Sequence, residues 1–149
     1  MPRFTFRLQT LRRLREIHRD EVRGRLAEAY EAEQILEERR RQVAHDIVVC
    51  AESRRRAMQS GALDVNQLLA TQRYELFLQA EGRTLADQAA LLAEEVENRR
   101  LAVVEADRQV RVLDKLEERR RREFVDAQSR KEAKQLDEVA VTGWARRHA

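Results

Sequence analysis

The sequence predicts an all-α fold, a long antiparallel coiled-coil hairpin of two helices with a C-terminal helical overhang. Charged residues make up 38% of the 149-residue chain and aromatic residues only 5%, so few large side chains are available for a globular core. Four glycines and one proline leave few places for turns. At 42% hydrophobic residues the chain is too apolar for disorder. Long helices that bury their apolar stripes against each other are therefore expected.

Helix one is predicted over about residues 4–58, a range that contains no proline and one glycine, Gly24. Apolar residues recur there in alternating steps of four and three, with Glu33, Arg40 and Arg54 as polar interruptions. The apolar positions of this ladder are Val22, Leu26, Ala29, Leu36, Val43, Ile47, Cys50 and Ala57. Such a stripe is typical of a helix that packs along one face against a partner helix.

A turn is predicted over about residues 59–64. Gly61 can adopt a positive φ and end helix one, and Asp64 with Gln67 three residues later has the spacing of a capping box. Helix two is therefore expected over about residues 65–140. The tail 141–149 loses the periodic pattern, and Gly143 is expected to end the ordered helix.

Helix two carries a ladder of nine positions in steps of four and three, of which eight are apolar. They are Leu85, Ala89, Leu92, Val96, Arg99, Val103, Ala106, Val110 and Leu113. A sustained seven-residue period predicts a left-handed supercoil with a partner helix. Helix one, folded back through the short turn, is the nearest partner, so the whole chain 1–149 is expected to be a single hairpin domain.

The turn position sets the pairing of the two helices. Residue i is expected to lie opposite about residue 125 − i, which places Val43 near Gly82 and Ala29 near Val96. At about 1.5 Å per residue, helix one is about 80 Å long and helix two about 110 Å, so an elongated rod with an overhang is expected.

Several function classes lack support in the sequence. His18, His45 and His148 are far apart and form no zinc-binding pair, the single cysteine has no base nearby, and no nucleotide-binding glycine loop is present. A two-helix hairpin also has no interior in which to build an active site. We therefore expect no enzymatic activity, no cofactor and no metal. With no apolar stretch long enough for a membrane span and no secretory signal, a cytosolic protein is expected.

Arginine accounts for 27 of the 30 basic residues, and the arginines cluster at 39–41, 54–56 and 119–122. Nucleic-acid binding is one interpretation, but acidic residues interleave the clusters and stacking aromatics are absent. The hairpin would bring both basic ends of the chain to one open end. A positive tip could steer the protein to an acidic cavity of a partner, and ordinary solvation of the helices is the alternative.

The segment from Tyr74 to Leu78 contains four large apolar residues within five positions. The line of contact between two helices, called the seam below, cannot bury side chains that point in so many directions. Some of these side chains are therefore expected to face outward and form a protein interface. A locally wider seam or self-association would also cover them.

Two parts of the sequence resemble a known family. The segment from Phe4 to Glu16 (FTFRLQTLRRLRE) and LAEA at residues 26–29 are similar to the N-terminus of flagellar FliJ proteins, components of the type III export apparatus. LAVVEADR at 101–108, LDKLEERR at 113–120 and KQLDEVA at 134–140 resemble the C-terminal half of that family. The resemblance covers nearly the whole chain, with the Gly61 turn at the expected midpoint.

This resemblance implies a cytoplasmic coiled-coil stalk and adaptor, held peripherally at the cytoplasmic face of the inner membrane at the flagellar base. It would bind the hexameric export ATPase through its open end, the cytoplasmic part of the export gate through a hairpin surface, and export chaperones. The residues expected to contact the ATPase ring are Arg12, Arg13, Arg119, Arg120, Arg121 and Arg122. Those expected to contact the gate are Val43, Ile47, Cys50, Tyr74, Phe77 and Leu78. A generic coiled-coil scaffold or a basic nucleic-acid-binding protein is the alternative function.

Overall fold

A computed structural model describes residues 3–61 and 64–148 of the chain. Helix α1 spans Gln9–Gln59, and helix α2 spans Val65–His148. The two helices form an antiparallel hairpin in which α2, with 84 residues, is longer than α1, with 51. The predicted all-α two-helix hairpin is confirmed.

Gly61 and Asp64 take the roles in the turn that were predicted for them. Gly61 has a φ of 72°, a value that costs glycine little because it has no Cβ. Asp64 Oδ1 accepts hydrogen bonds from the backbone N–H groups of Asn66 at 2.9 Å and Gln67 at 3.4 Å, which caps the start of α2. Residues 62 and 63 of the predicted turn lie outside the described residues.

Both outer helix ends differ from the prediction. The expected start of helix one at residue 4 is wrong, because α1 begins at Gln9 and the Phe4 ring packs on Phe124 instead, with 5.7 Å between the ring centroids. The expected end of helix two near residue 140 is also wrong, because α2 continues through Gly143 to His148. A glycine inside a helix costs only about 1 kcal/mol, which the helix formers around it can offset.

Contacts divide the chain into two units. The turn unit is Glu21–Val103, and the terminal unit consists of the residues before Glu21 together with those after Val103. The buried side chains in the seam of the turn unit are apolar and come from both helices. They are Val22, Ala29, Val43, Cys50, Leu78, Leu85 and Val96.

The pairing within the turn unit follows the predicted register. A Cβ built on Gly82 would lie 3.7 Å from Val43 Cγ1. Arg99, the polar position of the ladder in helix two, donates from Nη1 to the backbone oxygen of Arg25 at 2.6 Å, so it completes the seam with a hydrogen bond. The 3.7 Å between the Cβ at Gly82 and Val43 Cγ1 is an ordinary van der Waals distance, so a side chain as small as that of alanine would fit opposite Val43 at this layer.

The terminal unit has an asymmetric seam. Helix α2 buries Ala106, Val110 and Leu113 there, whereas α1 contributes the arginines of positions 12 and 15. Arg15 Nη1 donates to Gln109 Oε1 at 2.9 Å. The apolar parts of long arginine side chains can cover apolar surface while the guanidinium reaches polar partners.

Neither helix contains, within the described residues, a segment with the length and hydropathy that a membrane span requires.

Candidate functional site

The six residues predicted for gate binding do not form one surface. Val43, Cys50 and Leu78 are buried in the seam of the turn unit, and Ile47 is half-buried. The Cys50 thiol donates to the backbone oxygen of Thr71 across the seam at 3.6 Å. These residues hold the two helices together, so a partner could contact Val43, Cys50 and Leu78 only if the hairpin opened.

Tyr74 and Phe77 are the two members of that set that face outward. Their side chains are 51% and 62% exposed, and their rings stack with centroids 6.5 Å apart at an interplanar angle of 19°. Aromatic side chains held in one orientation expose a large apolar area at little entropic cost, which suits them to protein interfaces.

Val49 of helix α1 belongs to the same surface, although the sequence did not single it out. It is exposed and lines a cleft of about 440 Å³ together with Cys50 and Tyr74. The sequence could have indicated an exposed valine here. The ladder passes from Ile47 to Cys50 in a step of three, so it cannot bury both Val48 and Val49. We call Val49, Tyr74 and Phe77 the Tyr74 flank.

Two ion pairs lie beside the Tyr74 flank. Arg54 Nη1 contacts Glu75 Oε2 at 2.5 Å, and Arg39 Nη2 contacts Glu81 Oε1 at 2.5 Å. Both pairs join α1 to α2 within the turn unit. Each pair neutralises its own two charges, which lowers the cost of covering them with an apolar partner.

In the terminal unit, Arg12 is a seam residue and not an exposed contact. It is half-buried, and its guanidinium lies 2.8 Å from Asp114 Oδ1, 2.7 Å from Glu117 Oε2 and 3.4 Å from Glu16 Oε1. A guanidinium surrounded by three carboxylates joins the helices, so removing it would leave those carboxylates without their counter-charge.

The arginine run 119–122 faces solvent, and its members have local partners. Arg119 and Arg120 each contact Glu123 at 3.0 Å, and Arg122 contacts Glu118. The guanidinium carbon of Arg121 lies 5.8 Å from the centroid of the Phe4 ring, a cation–π distance. These carboxylates interrupt the row of positive charges, which does not favour a continuous contact with a phosphate backbone.

The terminal unit nevertheless stays basic. It contains 18 basic and 12 acidic side chains, whereas the turn unit contains 12 and 15. Arg13 is exposed beside the seam residue Arg12. The structure therefore places all six arginines that were predicted to contact the ATPase ring in one unit with a net charge of +6.

A cleft of about 700 Å³ in the terminal unit was not expected from the sequence. Its apolar lining comes from the N-terminal segment before α1 and from α2, and includes Phe4, Phe6, Leu8, Leu116 and Phe124. In the sequence, only the alternation of apolar and polar residues at Phe4, Thr5 and Phe6, ahead of the helix, could have indicated this cleft. Arg3, Arg7 and Arg120 also line the cleft, so its surroundings are basic.

The titration of Glu97 and Arg100 reflects a local ion pair. The hydrogen bond from Arg100 lowers the pKa of the Glu97 carboxyl, and the bond to Glu97 raises the pKa of Arg100. Both groups are exposed to solvent, so this pair has no feature of a catalytic site. Among the described residues, no group of three His, Cys, Asp or Glu side chains is placed to hold a metal ion.

Comparison with protein-family models matches residues 4–149 of the chain to the family described as flagellar FliJ protein. Comparisons with curated proteins and with solved structures found no match.

Proposed function

Because the chain belongs to the flagellar FliJ family, we propose that it acts as a stalk and adaptor that binds the ring of the export ATPase and couples it to the export gate and to chaperones of export substrates. Membership of this family makes the protein a non-catalytic component of the flagellar export apparatus. We propose the role as a stalk, the partners, and the assignment of each partner to its own surface.

The net charge of the terminal unit is the observation that carries the ATPase part of this proposal. An excess of six positive charges in one unit of a chain with a net charge of only +3 gives this unit a field that attracts acidic surfaces. Arg13, Arg119, Arg120, Arg121 and Arg122 are exposed there. They are the residues that we assign to contact with the ring.

The Tyr74 flank supports the export-gate part of the proposal. It offers exposed, stacked aromatic rings beside ion pairs that are already neutralised. If the export gate binds the Tyr74 flank, the basic terminal unit can bind the ATPase. The chain would then bind both partners at once, with each partner on its own unit.

The remaining parts of the proposal concern location and organisation. Binding to the gate would hold the protein at the cytoplasmic face of the inner membrane at the flagellar base, without a membrane span of its own. The two units would act as one hairpin domain, because both are built from the same pair of helices.

Charge reversal in the terminal unit tests the ATPase contact. Arg119→Glu with Arg122→Glu should slow association with the ATPase and make the stimulation of ATP hydrolysis less sensitive to salt, because steering by exposed charges is screened within about 8 Å at physiological ionic strength. Arg12 is left intact, since its loss would disturb the seam.

Arg55→Glu with Arg56→Glu is the matched control, because it changes the net charge equally but lies in the turn unit. Stimulation would be measured over a salt series, with helicity checked by circular dichroism. If both double variants stimulate ATP hydrolysis as wild type does, the terminal unit does not contact the ring.

A further inference from the structure

The turn unit has a second exposed surface, which the proposed function does not use. Six side chains, three from each helix, form this surface. Five of them are apolar, and all are exposed except Ala51, which is half-buried. We call it the Leu76 flank, and its members are Ala44, Val48 and Ala51 of α1 and Leu69, Gln72 and Leu76 of α2.

The Leu76 flank lies on the side of the hairpin away from Tyr74. On α1, Ala44 lines a cleft of about 300 Å³ with Ile47 and Gly82, whereas Val49 lines the cleft that contains Tyr74. Val48 and Ala51 follow Ala44 at i+4 and i+7 and so share its face. On α2, successive residues turn by about 100°, which directs Leu76 about 200° away from Tyr74.

Side-chain sizes along the Leu76 flank predict a shallow groove. Ala44 and Ala51 have only a methyl group and directly follow the seam residues Val43 and Cys50, so they would form its floor. Val48 of α1 and Leu76 of α2 are larger and stand at its edges, 56% and 57% exposed. From Ala44 to Ala51 the groove covers two helical turns, about 11 Å, a length that accepts the i, i+3 or i+4, and i+7 residues of another helix.

Gln72 is the one polar member of the Leu76 flank. It follows Leu69 by three residues and precedes Leu76 by four, so it shares their face of α2, and the half-buried Gln79 repeats its position one heptad later. The glutamine amide is uncharged and can both donate and accept hydrogen bonds. It can therefore bond to a polar side chain at the margin of a docked helix, whereas an entirely apolar partner would leave the amide without a hydrogen bond.

Arginines surround this groove. Arg41 and Arg55 lie seven residues before and after Val48 on α1, and Arg83 lies seven residues after Leu76 on α2, so each is in the same row as an apolar edge residue. Arg73 lies between Leu69 and Leu76, one helical turn from each. Arg41 is paired with Glu37 at 3.3 Å, whereas in the part of the chain that the structure describes no carboxylate is paired with Arg55, Arg73 or Arg83.

We propose that the Leu76 flank is a docking site for an amphipathic α-helix of a partner protein, with acidic residues on both sides of its apolar stripe. The apolar stripe would fill the groove, and the acidic residues would meet the unpaired arginines. This inference does not depend on the proposed contacts with the ATPase or the gate, since it rests on a different flank of the turn unit.

Two other occupants fit these observations less well. A second copy of this chain would bring the same arginines against each other, and like charges across an interface are unfavourable. A bilayer surface needs apolar side chains that protrude into it, whereas the alanines here form the floor of a groove and Gln72 lies beside them. Both occupants are outcomes of the test below.

The test uses the full chain labelled with ¹⁵N and two synthetic amphipathic peptides of about five helical turns. Both peptides carry leucines in a heptad pattern, flanked in one by glutamates and in the other by lysines. The acidic peptide should bind saturably and shift the backbone amide signals of Val48, Leu69 and Leu76 in NMR spectra, while those of the Tyr74 flank stay unchanged. The lysine peptide should bind at least tenfold more weakly.

Leu76→Ser should weaken binding of the acidic peptide at least tenfold. Phe77→Ser is the matched control, because Phe77 is the next residue, is similarly exposed and faces the other flank, and it should leave binding unchanged. Arg55→Glu combined with Arg73→Glu should reverse the preference between the two peptides. Circular dichroism should show the same helicity for all variants, since the replaced side chains are exposed.

Four results would overturn the proposal. They are equal affinity for both peptides, shifts at the Tyr74 flank in place of the Leu76 flank, concentration-dependent shifts of the Leu76 flank without peptide, and absence of saturable peptide binding. Vesicles of phosphatidylglycerol supply the membrane arm. Vesicle binding that is lost in Leu76→Ser, in the absence of peptide binding, would assign the flank to a lipid surface.

Discussion

Gly82 lies in α2 opposite Val43, the most deeply buried side chain of the seam. A Cβ at this position would meet Val43 Cγ1 at 3.7 Å, an ordinary van der Waals distance. We therefore expect Gly82→Ala to raise the free energy of unfolding by about 0.5–1 kcal/mol, because alanine has the higher helix propensity and fits the space. Urea unfolding followed by far-UV circular dichroism measures this change.

The two other described glycines whose surroundings are open provide controls. Gly24→Ala should raise stability by a similar amount, since nothing lies within 4 Å of the added Cβ. Gly61→Ala should lower stability by about 1–2 kcal/mol, because its φ of +72° is unfavourable for a residue with a Cβ. A lower stability for Gly82→Ala than for wild type would contradict the presence of space for a Cβ beside Val43.

Single residues also show where sequence reasoning stops. The register that pairs Val43 with Gly82 was predictable, because the heptad ladder and the turn fix it together. The width of the apolar run at Tyr74 showed that some side chains must be exposed, but it could not show that Leu78 faces the seam and Phe77 faces solvent. Arg12 could not be distinguished from its neighbour Arg13, because only the position of Asp114 and Glu117 on the partner helix makes Arg12 a seam residue.

At the scale of the element, helix ends were the least predictable features. Gly143 does not end α2, and α1 begins only at Gln9, after a segment in which the Phe4 ring contacts Phe124. The positions of both helix ends depend on local free-energy differences of about 1 kcal/mol. Helix propensities do not predict such small differences. The turn was predictable because Gly61 and Asp64 each satisfy a specific backbone requirement.

Residues 125–144 of α2 form helix without buried side chains, since each of them is exposed or half-buried. Helices without tertiary packing are only marginally stable in water. We expect the backbone amides of this part to exchange hydrogen roughly tenfold or more faster than those of the seam segment 85–113. Hydrogen exchange followed by mass spectrometry measures both segments in one sample.

Equal protection of the two segments in the isolated protein would contradict this expectation. Dilution provides the control, because protection of the C-terminal part that falls with protein concentration would show that self-association covers it.

At the scale of the whole molecule, family membership assigns this chain to the flagellar export apparatus, and the chain divides its surface properties between two units. The terminal unit is basic, and the turn unit presents the Tyr74 flank. Fold class and family were accessible from the sequence because helix periodicity and the two terminal segments are local patterns. The exposed flanks were only partly accessible, since the set of residues that shares each flank depends on how the helices face each other.

We propose that the protein binds two export components through separate surfaces, and measuring the binding of both partners to one set of variants tests this proposal. Isothermal titration calorimetry would measure the affinity of the full chain for the export ATPase and for the cytoplasmic part of the export gate. Tyr74→Ser with Phe77→Ser should weaken gate binding at least tenfold and leave ATPase binding unchanged, because exposed aromatic side chains contribute strongly to interfaces. Arg119→Glu with Arg122→Glu should weaken only ATPase binding, whereas a loss of both affinities in either variant, or of neither in both, would contradict the account.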